Sequence, residues 1–226
     1  MATLTWLGHG SYRLDTDGGT RIYVDPWLGS PTYPESEKNP ERADLMIITH
    51  GHGDHASSAA EFHQKTGAPV LTMLEVGGWL SSNGVPEDKV TGFNKGGTVE
   101  AAGVRVTLVN AFHSGSLPDG SYGGEPAGAV VRFDGKSVYF AGDTCVFGDM
   151  ALIARIYKPD VAVLPIGDFF TMGPEEAAVA LDLLGNPRCL PGHWGTFPLL
   201  TGTPDALRSL TSATVEDVQP GGSIDL

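Results

Sequence analysis

Residues 49–55 read THGHGDH, three histidines and an aspartate within seven positions, separated by two glycines. Ordinary packing has no use for such crowding, because gathered imidazoles and carboxylates lose hydration and protonated imidazoles repel one another. Cations relieve both penalties, since zinc-like ions accept neutral imidazole nitrogen and carboxylate oxygen. Gly51 and Gly53 are read as positions of positive φ that turn the backbone tightly, so that His50 and His52 face one way and Asp54 and His55 another. Two ions would then share the loop.

Working outward, the stretch belongs to a pattern. The apolar run LMIIT leads into His50, VRVTLVNAF into His113, SVYFAG into Asp143 and CLPG into His193. Four strand-like segments each deliver an imidazole or a carboxylate at the C-terminal end, the edge of layered α/β folds where ligands bind. Five of the seven histidines fall in this constellation, which a scatter of solvated loop residues would not produce. His50, His52 and His113 are assigned to one metal position. Asp54, His55 and His193 are assigned to a second, with Asp143 bridging.

The rest of the chain is consistent with a strand-rich sandwich. Its 226 residues, 31 of them Gly and 16 Pro, imply short elements joined by tight turns. Strands are expected at TLTWL, SYRLDT, TRIYVD, LMIIT, PVLTM, VRVTLVNAF, GAVVRF, SVYFAG, VAVLPI and CLPG. Helices are expected over about 56–66, 148–157 and 174–184, the last opened by Pro174 and closed by Gly185. No repeat or linker divides the sequence, so a single domain over 1–226 is expected. Two irregular stretches, 26–42 and 113–127, are read as pocket walls.

A net charge of −13 without any basic run disfavours nucleic acid and anionic membranes as partners. No stretch reaches the ~18 apolar residues of a membrane span, and MATLTWLGHGSY lacks the features of a signal peptide. A cytoplasmic protein acting on a small molecule is expected, with homo-oligomerisation open. Cys145 and Cys189 are read as reduced, buried thiols.

The motif THGHGDH resembles the H-x-H-x-D-H signature of the metallo-β-lactamase superfamily, and His113, Asp143 and His193 follow in that family's order. The similarity is closer to its small bacterial branch of metal-dependent hydrolases, related to ascorbate-phosphate lactonases. TWLGHGSYRL, YVDPWL, AGDTCVFGDM, LPIGDFFTMGPEEA and PGHWGTFPLL match that branch almost block by block. The resemblance implies an α/β (α+β) fold, a four-layer αββα sandwich of two mixed sheets with helices outside. It also implies two divalent ions, zinc foremost, with manganese, iron or nickel as alternatives, and a hydroxide held between them that attacks an ester, lactone or related bond. Oxygen-reducing iron members of the superfamily carry Glu where His52 stands, which favours hydrolysis over redox chemistry. A phosphodiesterase, or a non-hydrolytic metal-binding or redox iron protein on the same scaffold, is the alternative.

Asp54, itself one of the assigned ligands, His9 and Asp168 are the candidate catalytic residues. His9 is a contact to substrate or a proton carrier, against the simpler role of a hydrogen-bonded turn residue. Asp168 supports the metal ligands from behind or faces substrate, against the simpler role of capping the turn before MGPEEA. Asp25 is read as supporting the metal loop from behind. His63 is read as a surface-helix residue, Trp27 and Trp194 as shaping the cavity, and Met172 and Phe197 as packing.

Overall fold

The computed structural model describes residues 1–226. A seven-stranded sheet is built from β1 (Thr3–Trp6), β2 (Tyr12–Asp15), β3 (Arg21–Val24), β4 (Leu45–Ile48), β5 (Val70–Met73), β6 (Val90–Phe93) and the C-terminal β13 (Ser223–Asp225), in the order β13-β1-β2-β3-β4-β5-β6. A six-stranded sheet joins β7 (Thr98–Ala101), β8 (Val104–Asn110), β9 (Ala127–Phe133), β10 (Lys136–Phe140), β11 (Val161–Pro165) and β12 (Arg188–Gly192), in the order β12-β11-β10-β9-β8-β7. Both sheets are mixed. Hairpin pairings in β1–β3 and β7–β10 give way to parallel pairing along β3–β6 and β10–β12.

Side-chain alternation shows why two sheets stack here. In β9, Ala129, Val131 and Phe133 join the large core, whereas Val130 turns to the other face; in β10, Val138 and Phe140 point inward and Tyr139 outward. A strand apolar on both faces must be covered on both faces. The inner face meets the first sheet, and the outer face meets α4 (Met150–Tyr157), α5 (Pro174–Leu184) and α6 (Pro204–Arg208) through Met150, Ile153, Leu181 and Leu207. On the other side α2 (Ala59–Thr66) and α3 (Leu74–Ser82) cover the first sheet with Phe62, Val76 and Leu80. The layers are therefore helix, sheet, sheet, helix. Replacing the fully buried Phe62 or Phe140 by alanine would cost about 3–5 kcal/mol.

All ten expected strands are present, and α5 occupies the expected residues, with Pro174 in its first turn and Gly185 closing it at φ 82°. The expected helix 56–66 is two pieces, a single turn α1 (Gly53–Ala56) and then α2, broken at Ser57 and Ser58. Three strands, β6, β7 and β13, and the helices α3 and α6 were not foreseen. Other readings need correction. Neither Gly51 nor Gly53 has positive φ. Gly51 is needed for space, because a β-carbon there would lie 2.9 Å from the Ser116 carbonyl oxygen, and Gly53 simply begins α1. His63 is buried, with Nδ1 2.8 Å from the Ala68 carbonyl, so it ties α2 to the following turn instead of facing solvent. Cys189 is buried but Cys145 is exposed.

Candidate metal centre

The strands that end at one rim of the sandwich carry the polar cluster. His9 lies in the turn between β1 and β2, Asp25 follows β3, and Thr49 to His55 follow β4. His113 follows β8, Asp143 follows β10, and His193 follows β12 directly. His9, Asp25 and His193 take left-handed φ values of 50°, 46° and 52°, which non-glycine residues adopt only where the surroundings compel it. One such compulsion is visible: the His193 amide donates to the His9 carbonyl at 2.8 Å, joining the two sheets at the rim.

The structure gathers the side chains into two groups. His50, His52 and His113 have nitrogens within 4.8 Å of one another, and so do His9, Asp54, His55 and His193 with one ligand atom each. Asp143 lies between them. Its Oδ2 is 3.2 Å from His193 Nε2, 3.4 Å from His55 Nε2, 3.6 Å from His113 Nε2 and 3.9 Å from His50 Nε2.

Hydrogen bonds behind the cluster decide which nitrogens face it. Thr49 Oγ1 donates to Asp25 Oδ2 at 2.5 Å and can therefore accept from His50 Nδ1 at 3.0 Å. The other carboxylate oxygen of Asp25 accepts the Thr49 amide, and Oδ2 also accepts from His55 Nδ1 at 2.8 Å. One buried carboxylate thus fixes both imidazoles with Nε2 turned inward, the arrangement by which an outer carboxylate orients a metal-binding histidine. On the opposite flank His9 Nε2 donates to Asp54 Oδ2 at 2.9 Å while its Nδ1 accepts from Thr196 Oγ1 at 2.9 Å.

The cluster is electrostatically incomplete as a set of protein groups. His55 Nε2 and both ring nitrogens of His193 are buried without a hydrogen-bond partner; His193 lies close to Asp143 but off the hydrogen-bonding direction. Such buried orphans are costly unless another ligand satisfies them. Burial alone would lower the pKa of His193, yet the charge of Asp143 and the nearness of Asp54 overcome it and raise it to about 9. Burial also opposes a proton on His55, which is nonetheless raised well above its ordinary value by Asp143 and Asp25. His50 is pushed well below 6.5 by burial and by the charge of His55. For Asp54 and Asp143 burial favours the neutral acid, but the surrounding imidazoles hold both far below the usual carboxylate range. Protons on His55 and His193 occupy the positions for which a divalent cation would compete. The donor set, imidazole and carboxylate with bare nitrogens directed at a common centre, fits such ions.

A cleft of about 460 Å³ opens onto the cluster, lined by His9, His52, Asp54, His113, Ser114, Asp143, Phe170, His193 and Phe197. Asp168 is not among them. It is exposed, its Oδ1 accepts the Phe169 amide at 2.7 Å, and it borders a separate surface cleft with Thr171, Glu175 and Glu176. Its position is that of a turn-forming residue, which corrects the expectation of a substrate-facing carboxylate. Phe197, expected to pack, instead lines the cleft. Of the two irregular stretches, 113–127 supplies His113 and Ser114, whereas 26–42 reaches the site only through Trp27, whose ring meets His9 edge-on at 5.2 Å. Trp194 stacks on Trp6 at 5.2 Å, below the cleft. Sequence reading missed Thr49 and Thr196; the only signal for either was its place beside a ligand-rich motif.

Comparison with known proteins agrees with this geometry. A family model described as a beta-lactamase superfamily domain matches residues 20–194, and the chain belongs to the metallo-β-lactamase superfamily. Within it the chain is a metal-dependent hydrolase. It is 49% identical to a UPF0173 metal-dependent hydrolase of Herpetosiphon aurantiacus, covering 97% of this chain and 95% of the relative. A UPF0173 metal-dependent hydrolase of Rubrobacter xylanophilus is 48% identical, with 89% and 85% covered. Among solved structures, Igni18, a metallo hydrolase from the archaeon Ignicoccus hospitalis, superimposes with a TM-score of 0.87 at 34% identity over 99% of this chain and 97% of that one.

Proposed function

We propose that the chain, acting as one domain over residues 1–226, is a dinuclear hydrolase of small-molecule esters, lactones or related bonds. His50, His52 and His113 would hold one divalent cation and Asp54, His55 and His193 the other, with Asp143 shared between them. The observation that carries this reading is the position of Asp143 Oδ2 within 3.9 Å of four histidine Nε2 atoms, among them buried nitrogens with no partner. Zinc is the first candidate by the family resemblance, and the imidazole and carboxylate donors accept it as they would manganese, iron or nickel.

When bound, divalent cations supply Lewis acidity that brings the pKa of a coordinated water toward neutrality and polarises the scissile carbonyl. The chain's own residues do the positioning. Asp25 and Thr49 engage the Nδ1 sides of His50 and His55 and so leave their Nε2 atoms as the nitrogens turned toward the cation positions. His9 holds the Asp54 carboxylate in place, and Thr196 fixes the tautomer in which His9 can do so. Fully buried and hydrogen-bonded at both nitrogens, His9 is a positioning residue. The test is elemental analysis of the purified protein before and after chelation, paired with ester and lactone hydrolysis by the reloaded protein. Two equivalents of metal and restored turnover are expected; a protein that takes up no metal would overturn the reading.

A further inference from the structure

The mouth of the cleft differs in character from its floor. The floor is imidazole and carboxylate, but the two remaining side chains of any size, Phe170 and Phe197, are aromatic, and no Lys or Arg lines the cleft. Both rings remain substantially exposed, at 52% and 37%, in positions where burial would ordinarily be favoured. We infer that Phe170 and Phe197 form an aromatic wall that selects substrates whose portion remote from the scissile bond is apolar, best a ring, and uncharged.

The backbone is built to hold these rings at the rim. Phe170 rides on a turn in which Asp168 and Phe169 both take left-handed φ values, 66° and 61°. For phenylalanine that conformation is strained and persists only where neighbours impose it. The neighbours are the metal-binding strand ends. Gly167 packs so closely on the His193 carbonyl that an added β-carbon would lie 2.0 Å from its oxygen, and the Met172 amide donates to the Thr144 carbonyl beside Asp143 at 3.0 Å. The loop bearing Phe197 is tied to the same turn, with the Gly202 amide donating to the Gly167 carbonyl at 3.2 Å. Phe197 also rests edge-on against His9, with ring centroids 5.6 Å apart. The turn and the loop that carry the two rings are thus tied to the metal-binding strand ends and to each other through the backbone, which lowers the ordering cost of gripping a flat apolar group.

Charge points the same way. Cations at the floor can balance negative charge that develops at the reacting bond, but an anionic group several bonds away would meet phenyl rings within a chain of net charge −13. It would be desolvated without a partner. This separates the proposal from phosphodiester substrates bearing a second charged arm, and it rests on the hydrolase reading above.

The experiment pairs 4-methylphenyl acetate with 4-carboxyphenyl acetate on the zinc-loaded protein. The same bond is cleaved, and only the remote group carries charge. kcat/KM is expected to be about tenfold or more higher for the neutral ester, a difference of one well-made apolar contact or more. In Phe170→Ala and Phe197→Ala, KM for the neutral ester should rise about fivefold with metal content unchanged. A second readout needs no turnover: binding of 4-methylanisole, which has no hydrolysable bond, to the chelated protein by saturation-transfer NMR, expected for the native chain and lost in the double variant. Hydrolysis with equal preference for both esters would overturn the wall and leave the hydrolase standing. Absence of hydrolysis with phenylalanine-dependent binding of the ring would do the reverse. Absence of both would remove both.

Discussion

The two rims of the sandwich solve one problem in opposite ways. At each rim the sheets must be held together where strands end. At the far rim the turn between β2 and β3 is clasped to the turns of the second sheet by exposed contacts: at the β9–β10 turn Lys136 pairs with Asp17 and the Gly18 amide donates to Asp134 at 3.0 Å, and at the β7–β8 turn Thr20 donates to the Ala102 carbonyl at 2.8 Å. Every partner is satisfied and wet. At the metal rim the joining groups are buried and several of them lack partners. Exposed pairs contribute little individually, whereas a buried unsatisfied cluster lowers stability until something binds it. The difference teaches that the functional rim is the one where folding alone leaves the chemistry unfinished.

The comparison can be broken by substitution. The largest effect is expected for Asp143→Asn, which removes the charge facing four imidazoles: ester turnover should fall by more than the roughly hundredfold that loss of an outer partner can cause, and full turnover would remove Asp143 from the site. Next comes His113→Ala, expected to lose one of two bound cations by elemental analysis while its circular dichroism stays native; unchanged metal content would refute the assignment. Asp25→Asn leaves all ligands present but unfastens His50 and His55, so metal affinity in a competition titration should fall about 10- to 100-fold.

Chelation sharpens the contrast through pH. His193 in the folded, metal-free chain is raised from 6.5 to about 9, so its contribution is complete below pH 6.5 and is lost as pH rises through 9. His50 acts in the opposite sense: held neutral when folded, it penalises folding once the unfolded chain takes up a proton below 6.5. The rise in melting temperature on adding zinc should therefore grow between pH 6.5 and 9, and a constant rise would show that His193 is not coupled to Asp143. Lys136→Ala at the far rim should give the smallest effect, with metal content unchanged and a denaturation midpoint within the scatter of surface substitutions. A large loss there would erase the distinction between the rims.

The same contrast governs what sequence reading could reach. THGHGDH was legible because its ligands are adjacent, and His113, Asp143 and His193 because each follows an unbroken apolar strand. α5 was legible because Pro174 and Gly185 mark both of its ends. By contrast α3 carries Gly77 and Gly78 in its middle, which argue against a helix. Gly77 is there because a β-carbon would press on Val90 at 3.0 Å, a reason that exists only after β6 is in place. β7 and β13 are short strands at sheet edges, and β7 is exposed or half-exposed throughout, so hydrophobic periodicity is weak there. Phe197 looked like packing because an aromatic in a loop usually packs, and its place in the cleft depends on the Gly202–Gly167 tie. Asp168 ends a strand as the ligands do, yet its left-handed φ of 66° folds it back on its own turn.

The density of ligands in residues 49–55 also bears on how the protein acquires its metal. An unfolded chain already holds His50, His52, Asp54 and His55 within one short, flexible segment, whereas His113, Asp143 and His193 arrive only when both sheets have closed. Metal added to unfolded chains would therefore be captured locally and too early, and affinity for the unfolded state subtracts from the stabilisation that the folded site provides. Refolding in the presence of excess zinc should be slower than refolding without metal followed by loading, because the prematurely chelated loop must release its grip before β4 can deliver it to the rim.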